Sequence, residues 1–224
     1  MDIITTLRSS AEPVYGEFIK KLTPGAGNVL GVRMPRLRSL SKEILRSDWR
    51  AFLSSGSDFY EVQILRALVI AGAKCPLEEK LRMTEAFVPT INNWAVCDAF
   101  CGAFKDAAKY PDVIWDFILP YTRSPREFEA RFAAVMLLCH FVDSEHVERV
   151  LGLLNSMRQD DYYAMMGVAW AVSECYARFP GLTEEWLTAC GLGRTAFNKS
   201  IQKICESNRV DPETKARLKK LKRE

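Results

Sequence analysis

Trp94 and Asp98 are four residues apart in the segment INNWAVCDAFCGAF, which occupies positions 91–104. At roughly 100° per residue of an α-helix, this spacing places an indole and a carboxylate one turn apart on the same side. The face of an indole attracts cationic groups, and a helix with a purely structural role has little need of such a pair. The sequence therefore predicts a functional site here, which the rest of the chain positions.

The helix that carries this pair has a recognisable start, because Asn92 or Asn93 can accept a hydrogen bond from the first free backbone N–H groups. The helical period then gives two stripes, turned about 110° from each other. The first stripe, expected to face the core, contains Asn93, Val96, Cys97, Phe100, Phe104 and Ala107. The second stripe, expected beside the core, contains Trp94, Asp98, Cys101 and Lys105.

A second tryptophan, Trp170, lies in a helical segment, 161–178, with the same kind of pattern. Its predicted core stripe contains Met165, Val168, Ala169, Val172 and Tyr176. The neighbouring stripe contains Tyr163, Met166, Gly167, Trp170 and Glu174. Glycine costs about 1 kcal/mol relative to alanine inside a helix. Gly167 therefore either lets a ligand approach beside the indole or lets two helices pack closely around a core tryptophan, and the pattern leaves both open.

Arg131 is the one interior charge in the apolar part of segment 126–141. It shares a stripe with Phe128, Val135 and Leu138. An arginine in that position either extends to solvent along an apolar surface or reaches an anion, because its planar fork suits a phosphate. The sequence does not choose between these two interpretations.

The apolar period is helical almost throughout, which predicts an all-α chain. The predicted helices are 2–21, 35–47, 48–54, 59–73, 77–88, 93–109, 112–120, 126–141, 144–156, 161–178, 183–190, 195–208 and 212–222. Pro13 leaves open whether the first of these is one helix or two. Helix pairs of about 35–40 residues are typical of HEAT-like repeats. We therefore expect one solenoid domain over 1–224, an α-α superhelix with a concave basic groove.

Composition excludes several classes of protein. The 224 residues are 48% hydrophobic, as in an ordinary globular protein. No apolar run reaches the ~18 residues of a membrane span, and the N-terminus lacks the features of a secretory signal, so we expect a cytoplasmic protein. The seven cysteines form no C-x-x-C pair, and the two histidines lie far from Cys97 and Cys101 in the sequence. We expect no metal and no cofactor.

The net charge of +3 is unevenly distributed. Positions 194–224 hold ten basic and four acidic residues, and positions 31–50 hold six basic and two acidic residues. Basic segments on either side of a mildly acidic body suit an anionic partner. Nucleotide-binding loops and the common hydrolase motifs are absent from the sequence.

Six segments, in this order, resemble the AlkD-like DNA alkylation repair family. They are GVRMPRLRSLSKEI (31–44), YEVQILRALVIAGA (60–73), INNWAVCDAF (91–100), the Arg131 helix, YYAMMGVAWAVSE (162–174) and FNKSIQKICESNRV (197–210). The resemblance covers nearly the whole chain. It implies HEAT-like repeats with double-stranded DNA in a concave groove, and a monomeric DNA glycosylase of base excision repair that releases purines alkylated at N3 or N7.

The resemblance also implies roles for individual residues. Asp98 would stabilise the cationic sugar and position water, while Trp94 and Trp170 would pack against the sugar–phosphate backbone at the lesion. The residues expected to contact DNA are Arg131, Tyr163, Lys105, Lys199, Lys203, Arg33 and Arg38. The family is thought to act without flipping the base, which suits an open groove.

Three positions depart from the family pattern. Met165 stands where relatives commonly have lysine, and Phe128 and Ala130 stand where a tryptophan and a second arginine are often found. Fewer cations in the groove mean weaker or more selective DNA binding. Two alternatives to a glycosylase therefore follow: a non-catalytic nucleic-acid-binding protein that uses the same groove, and a protein-interaction scaffold in which the aromatic residues form a partner surface.

Overall fold

The computed structural model describes residues 2–157 and 160–224 and is helical. Among these residues there are fourteen α-helices, short 3₁₀ turns after some of them, and no β-sheet, only an isolated bridge between Asn28 and Phe59. The prediction of an all-α helical-repeat fold is confirmed. The chain packs as two compact units, 1–106 and 107–224. The single domain over 1–224 and its concave groove remain predictions.

The first unit contains seven helices in its described part. They are α1 (Ile3–Ser9), α2 (Pro13–Leu22), α3 (Met34–Leu45), α4 (Trp49–Ser54), α5 (Tyr60–Gly72), α6 (Leu77–Phe87) and α7 (Trp94–Ala103). Helix α5 is central and packs against α3 on one side and α7 on the other. Its own sequence explains this position, because apolar residues cover most of its circumference and nearly all of them are buried.

The second unit also contains seven helices among its described residues. They are α8 (Pro111–Ile118), α9 (Glu127–His140), α10 (Val147–Ser156), α11 (Tyr162–Arg178), α12 (Pro180–Ala189), α13 (Arg194–Glu206) and α14 (Pro212–Lys219). Helix α11 lies between α9 and α13. Gly167 is at the contact with α9, where an added Cβ would lie 3.4 Å from the Arg131 Cγ and the Ala134 Cβ. The glycine thus serves close helix packing, one of the two interpretations left open by its sequence.

Pro13 does divide the first predicted helix, and several other predicted helix boundaries are wrong. The segment 2–21 is two helices, because the chain leaves α1 after Ser9 and restarts at Pro13, whose missing N–H is tolerated in a first turn. The segment 93–109 ends as an α-helix at Ala103, because Phe104 takes a non-helical conformation with its ring in the core. The segment 183–190 begins earlier, at Pro180, because Phe179 ends α11 and starts α12.

Candidate functional site

The N-terminus of α7 is fixed by an asparagine cap. Asn93 has an extended backbone, and its side-chain oxygen accepts a hydrogen bond from the Val96 N–H at 3.0 Å. Its amide nitrogen donates to the side-chain oxygen of Asn92 at 2.9 Å. Because Asn93 is only 1% exposed, this cap is part of the core. Of the two asparagines proposed as the cap, Asn93 is the one, and it makes Trp94 the first residue of the helix.

Trp94 is held by a contact that is distant in sequence. Its indole Nε1–H donates to the carbonyl oxygen of Leu22, the last residue of α2, at 3.3 Å. The loop after α2 comes close to α7, since a Cβ on Gly25 would lie 2.5 Å from the Asn92 carbonyl oxygen. Gly25 also has a φ of 86°, which favours glycine. The Trp94 side chain is half-exposed, and the hydrogen bond from its indole N–H to the Leu22 carbonyl fixes the orientation of the ring.

Asp98 lies one turn further along α7 and is also half-exposed. Four residues of helix correspond to about 6 Å along the axis, so Asp98 and Trp94 are neighbours on the same side of α7. Val96, Cys97 and Phe100 are buried, which confirms the core stripe. The side face of α7 thus presents an aromatic ring and a carboxylate to solvent, an arrangement suited to a cationic group.

The second predicted stripe of α7 is only partly correct. Cys101 is fully buried rather than beside the core. Lys105 is exposed, but it lies in the 3₁₀ turn Lys105–Ala108, beyond the end of α7. It therefore does not continue the line of Trp94 and Asp98, because the backbone changes direction at Phe104.

In the second unit, Trp170 and Glu174 have the same spacing on α11, and both are half-exposed. The buried neighbours Met165, Val168 and Val172 confirm the predicted core stripe of this helix. Trp170 is therefore beside the core and not within it. Met165 contributes an apolar side chain to the interior.

Glu174 is bound by two arginines. Its carboxylate accepts from both terminal nitrogens of Arg209, at 2.8 and 2.5 Å, and from the Arg178 Nε at 3.3 Å. The hydrogen bond from Arg209 is the main cause that lowers the pKa of Glu174, and the charges of both arginines add to it. The carboxylate is therefore ionised and its charge is compensated.

Arg131 is 6% exposed and lies between α9 and α11. Its Nη1 donates to the Tyr163 carbonyl oxygen at 3.0 Å, and the Tyr163 N–H donates to the Glu127 carboxylate at 2.6 Å. The Tyr163 ring stacks on Phe128, with ring centroids 5.4 Å apart. Arg131 thus does not extend freely to solvent. Together with Glu127, which sequence reasoning missed, it holds the first turn of α11 in place.

Several of the other predicted DNA contacts already have protein partners. Arg33 forms a two-pronged ion pair with Glu12, with donor–acceptor distances of 2.8–3.0 Å. This hydrogen bonding lowers the pKa of Glu12. Lys203 pairs with Glu206 at 2.9 Å. Lys199 donates to the Gln202 side-chain oxygen at 3.2 Å, and Arg38 is exposed on α3.

The predicted site residues are divided between the two units. Trp94, Asp98, Arg33, Arg38 and Lys105 lie in the first, whereas Arg131, Tyr163, Trp170, Lys199 and Lys203 lie in the second. Within the described ranges, no three histidine, cysteine, aspartate or glutamate side chains cluster as metal ligands. None of the helices in the described part of the chain is both long and apolar enough to cross a membrane.

Comparison with protein families identifies one match over most of the chain. The model of a family described as DNA alkylation repair enzyme matches residues 3–204. This match confirms the resemblance seen in the sequence motifs. No curated protein matches the chain significantly.

Proposed function

The chain belongs to the DNA alkylation repair enzyme family, and we propose that it is a DNA glycosylase that releases positively charged N3- and N7-alkylated purines from duplex DNA. Its substrates in this proposal include 3-methyladenine and 7-methylguanine. The observation that carries the proposal is the side face of α7, where a fixed indole and a carboxylate are one turn apart and both reach solvent.

The chemistry of the substrate explains why so few protein side chains suffice for catalysis. An N3- or N7-alkylated purine carries a positive charge, so breaking its bond to C1′ returns the bonding electrons to the base and leaves it neutral. The departing base therefore needs no general acid. The sugar instead becomes an oxocarbenium-like cation, and stabilising that cation is the main task of the enzyme.

We assign this task to Asp98. Its carboxylate opposes the charge that develops on the sugar and orients the water that attacks C1′, and the proton of that water passes to the carboxylate. Trp94 and Trp170 would pack against the sugar–phosphate backbone with their half-exposed rings. Because the indole edge of Trp94 is fixed by the Leu22 carbonyl, its ring face is held in one orientation for this contact.

DNA binding in this proposal occurs in a concave groove, without flipping of the damaged base. The exposed residues Arg38 and Lys105 and the half-exposed Lys199 would contact phosphates. Arg131 would act mainly through Tyr163, whose backbone it binds. Arg33 and Lys203 would have to exchange a carboxylate partner for a phosphate.

The direct test is release of 7-methylguanine from methylated duplex DNA. We expect wild-type protein to release the base and Asp98→Asn to be slower by about 10²–10³-fold, the usual effect of removing one electrostatic stabiliser. Asp116→Asn is the matched control, because Asp116 is an exposed aspartate on α8. It should retain the wild-type rate.

Two other results would favour a different function. If neither protein releases the base while salt-dependent DNA binding is intact, the protein is a non-catalytic nucleic-acid binder. If DNA binding at near-physiological salt is also absent, an interaction scaffold becomes the better interpretation.

A further inference from the structure

A cavity of about 450 Å³ lies between α13 and the residues that follow α14. It is lined by Arg194, Thr195, Asn198, Lys199, Gln202, Lys222, Arg223 and Glu224. We call it the C-terminal basic cavity. Four of its eight lining residues are cationic and one is acidic, so its interior favours an anion.

Three of these cations form no ion pair with another described residue. Among the described residues, no carboxylate lies within ion-pair distance of Arg194, Lys199 or Lys222. The Lys199 ammonium donates to the neutral side-chain oxygen of Gln202, and its charge helps to lower the Glu206 pKa without forming an ion pair in the described part of the chain. This differs from Lys203, one turn further along α13, which pairs with Glu206. Positive charge is therefore concentrated on the cavity side of α13.

The segment after α14 is held in place by reciprocal hydrogen bonds. The Asn198 Nδ2 donates to the Arg223 carbonyl oxygen, and the Arg223 N–H donates to the Asn198 Oδ1, both at 2.9 Å. The Arg223 guanidinium donates to the carbonyl oxygens of Leu192 and Cys190 and lies 3.9 Å from the centre of the Phe197 ring. Arg223 is thus an anchor, and its neighbour Lys222 lines the cavity.

We propose that the C-terminal basic cavity is a phosphate-binding subsite, in which Arg194, Lys199 and Lys222 contact the anion and Asn198 positions Lys222. This inference rests on the proposed function for the source of the phosphate, which is then a phosphodiester of the DNA backbone. The three cationic side chains and the polar side chains of Thr195 and Gln202 line the same cavity, and all of them can donate hydrogen bonds to the oxygens of a phosphate.

The first test is the salt dependence of binding to an unmodified duplex. Each phosphate contact contributes about 0.9 to the slope of log K against log salt concentration. We expect Lys222→Met to reduce the slope by about that amount and to weaken binding roughly fivefold to tenfold at 0.1 M salt. The matched control is Lys220→Met, an exposed lysine of the same segment that does not line the cavity. It should stay within about twofold of wild type.

Equal losses of DNA affinity for Lys222→Met and Lys220→Met would overturn the proposal, because the effect would then come from the charge of the whole segment. A wild-type slope for Lys222→Met would also overturn it.

The positioning role of Asn198 has its own test, because Asn198→Leu removes the reciprocal hydrogen bonds without changing the charge. We expect this variant to reduce the slope as Lys222→Met does, and the double variant to lose no more than either one. Additive losses would show that Asn198 does not act through Lys222.

A titration with inorganic phosphate at constant ionic strength separates this inference from the proposed function. In one outcome, wild-type protein binds no DNA, but phosphate shifts the amide resonances of Thr195 and Lys222, and Lys222→Met abolishes the shift. The cavity is then a binding site for free phosphate, and the proposed function is wrong. If neither duplex nor phosphate binds, the subsite is wrong.

Discussion

Helices α7 and α11 both carry a tryptophan followed four residues later by an acidic residue, and the surrounding protein contacts the two pairs in different ways. On α7 the indole of Trp94 is bound by the Leu22 carbonyl. On α11 the carboxylate of Glu174 is bound by Arg209 and Arg178. Glu174, whose charge is compensated by two arginines, is therefore assigned a structural role, whereas the reactive role proposed for Asp98 rests on the family resemblance and on its position one turn from Trp94.

The largest effect on stability is expected where α7 is anchored. Lys80 is 4% exposed, and its ammonium is bound by Asp106, which follows α7, and by the Ala71 carbonyl oxygen. Asp106→Asn should lower the free energy of unfolding by about 3 kcal/mol, because it leaves a buried ammonium without a counter-charge. The control is Glu78→Gln, which breaks an exposed pair with Arg82 and should cost less than about 0.5 kcal/mol. Equal urea midpoints for Asp106→Asn and Glu78→Gln would contradict the stabilising role of Asp106.

The two tryptophans should respond differently to phenylalanine. Trp94→Phe keeps an aromatic face but leaves the Leu22 carbonyl without its donor, which should cost about 1 kcal/mol. Trp170→Phe should cost less, since the Trp170 indole N–H donates to no other group in the part of the chain that the structure describes. Urea unfolding of both variants measures the difference. A larger loss of stability for Trp170→Phe than for Trp94→Phe would contradict this difference between the two tryptophans.

The smallest effect concerns the ion pair on α11 and depends on pH. The Glu174 pKa is lowered by Arg209, so the pair stabilises the folded state above the ordinary glutamate pKa of 4.5, and this stability is lost as pH falls through the folded-state pKa. The Glu174 side chain is 14% exposed but Arg209 is 52% exposed, which limits the contribution to about 1 kcal/mol.

Glu174→Gln should therefore be less stable than wild type at pH 7 and become equal to it in strong acid. The measurement is the unfolding free energy of both proteins between pH 7 and pH 2. A difference that stays constant over this range would show that packing, and not charge, links Glu174 to the arginines.

Helical periodicity predicted much of what surrounds these two pairs. The buried stripes of α7 and α11 follow directly from the order of apolar residues, and burial of Phe104 and Ala107 was correct even though both lie beyond the end of α7. Apolar patterning reports which side chains enter the core, and it does so even where the backbone leaves the helix.

What periodicity missed are contacts between residues distant in sequence. The bond from Trp94 to Leu22 joins residues 72 positions apart, and the bond from Arg131 to Tyr163 joins residues 32 apart. The Lys105 side chain illustrates a second limit, because one non-helical residue at Phe104 removes it from its predicted stripe. The roles of the site residues came from the family resemblance, and they remain predictions.

The central claim, that only one of the two acidic residues does chemistry, is tested most directly by single-turnover excision of 7-methylguanine. Asp98→Asn and Glu174→Gln would be compared with wild type at saturating protein and at a temperature where all three are folded. We expect a loss of about 10²–10³-fold for Asp98→Asn and a rate within about threefold of wild type for Glu174→Gln, since losing a partly exposed ion pair changes little. Equal losses in the two variants, or a larger one for Glu174→Gln, would contradict it.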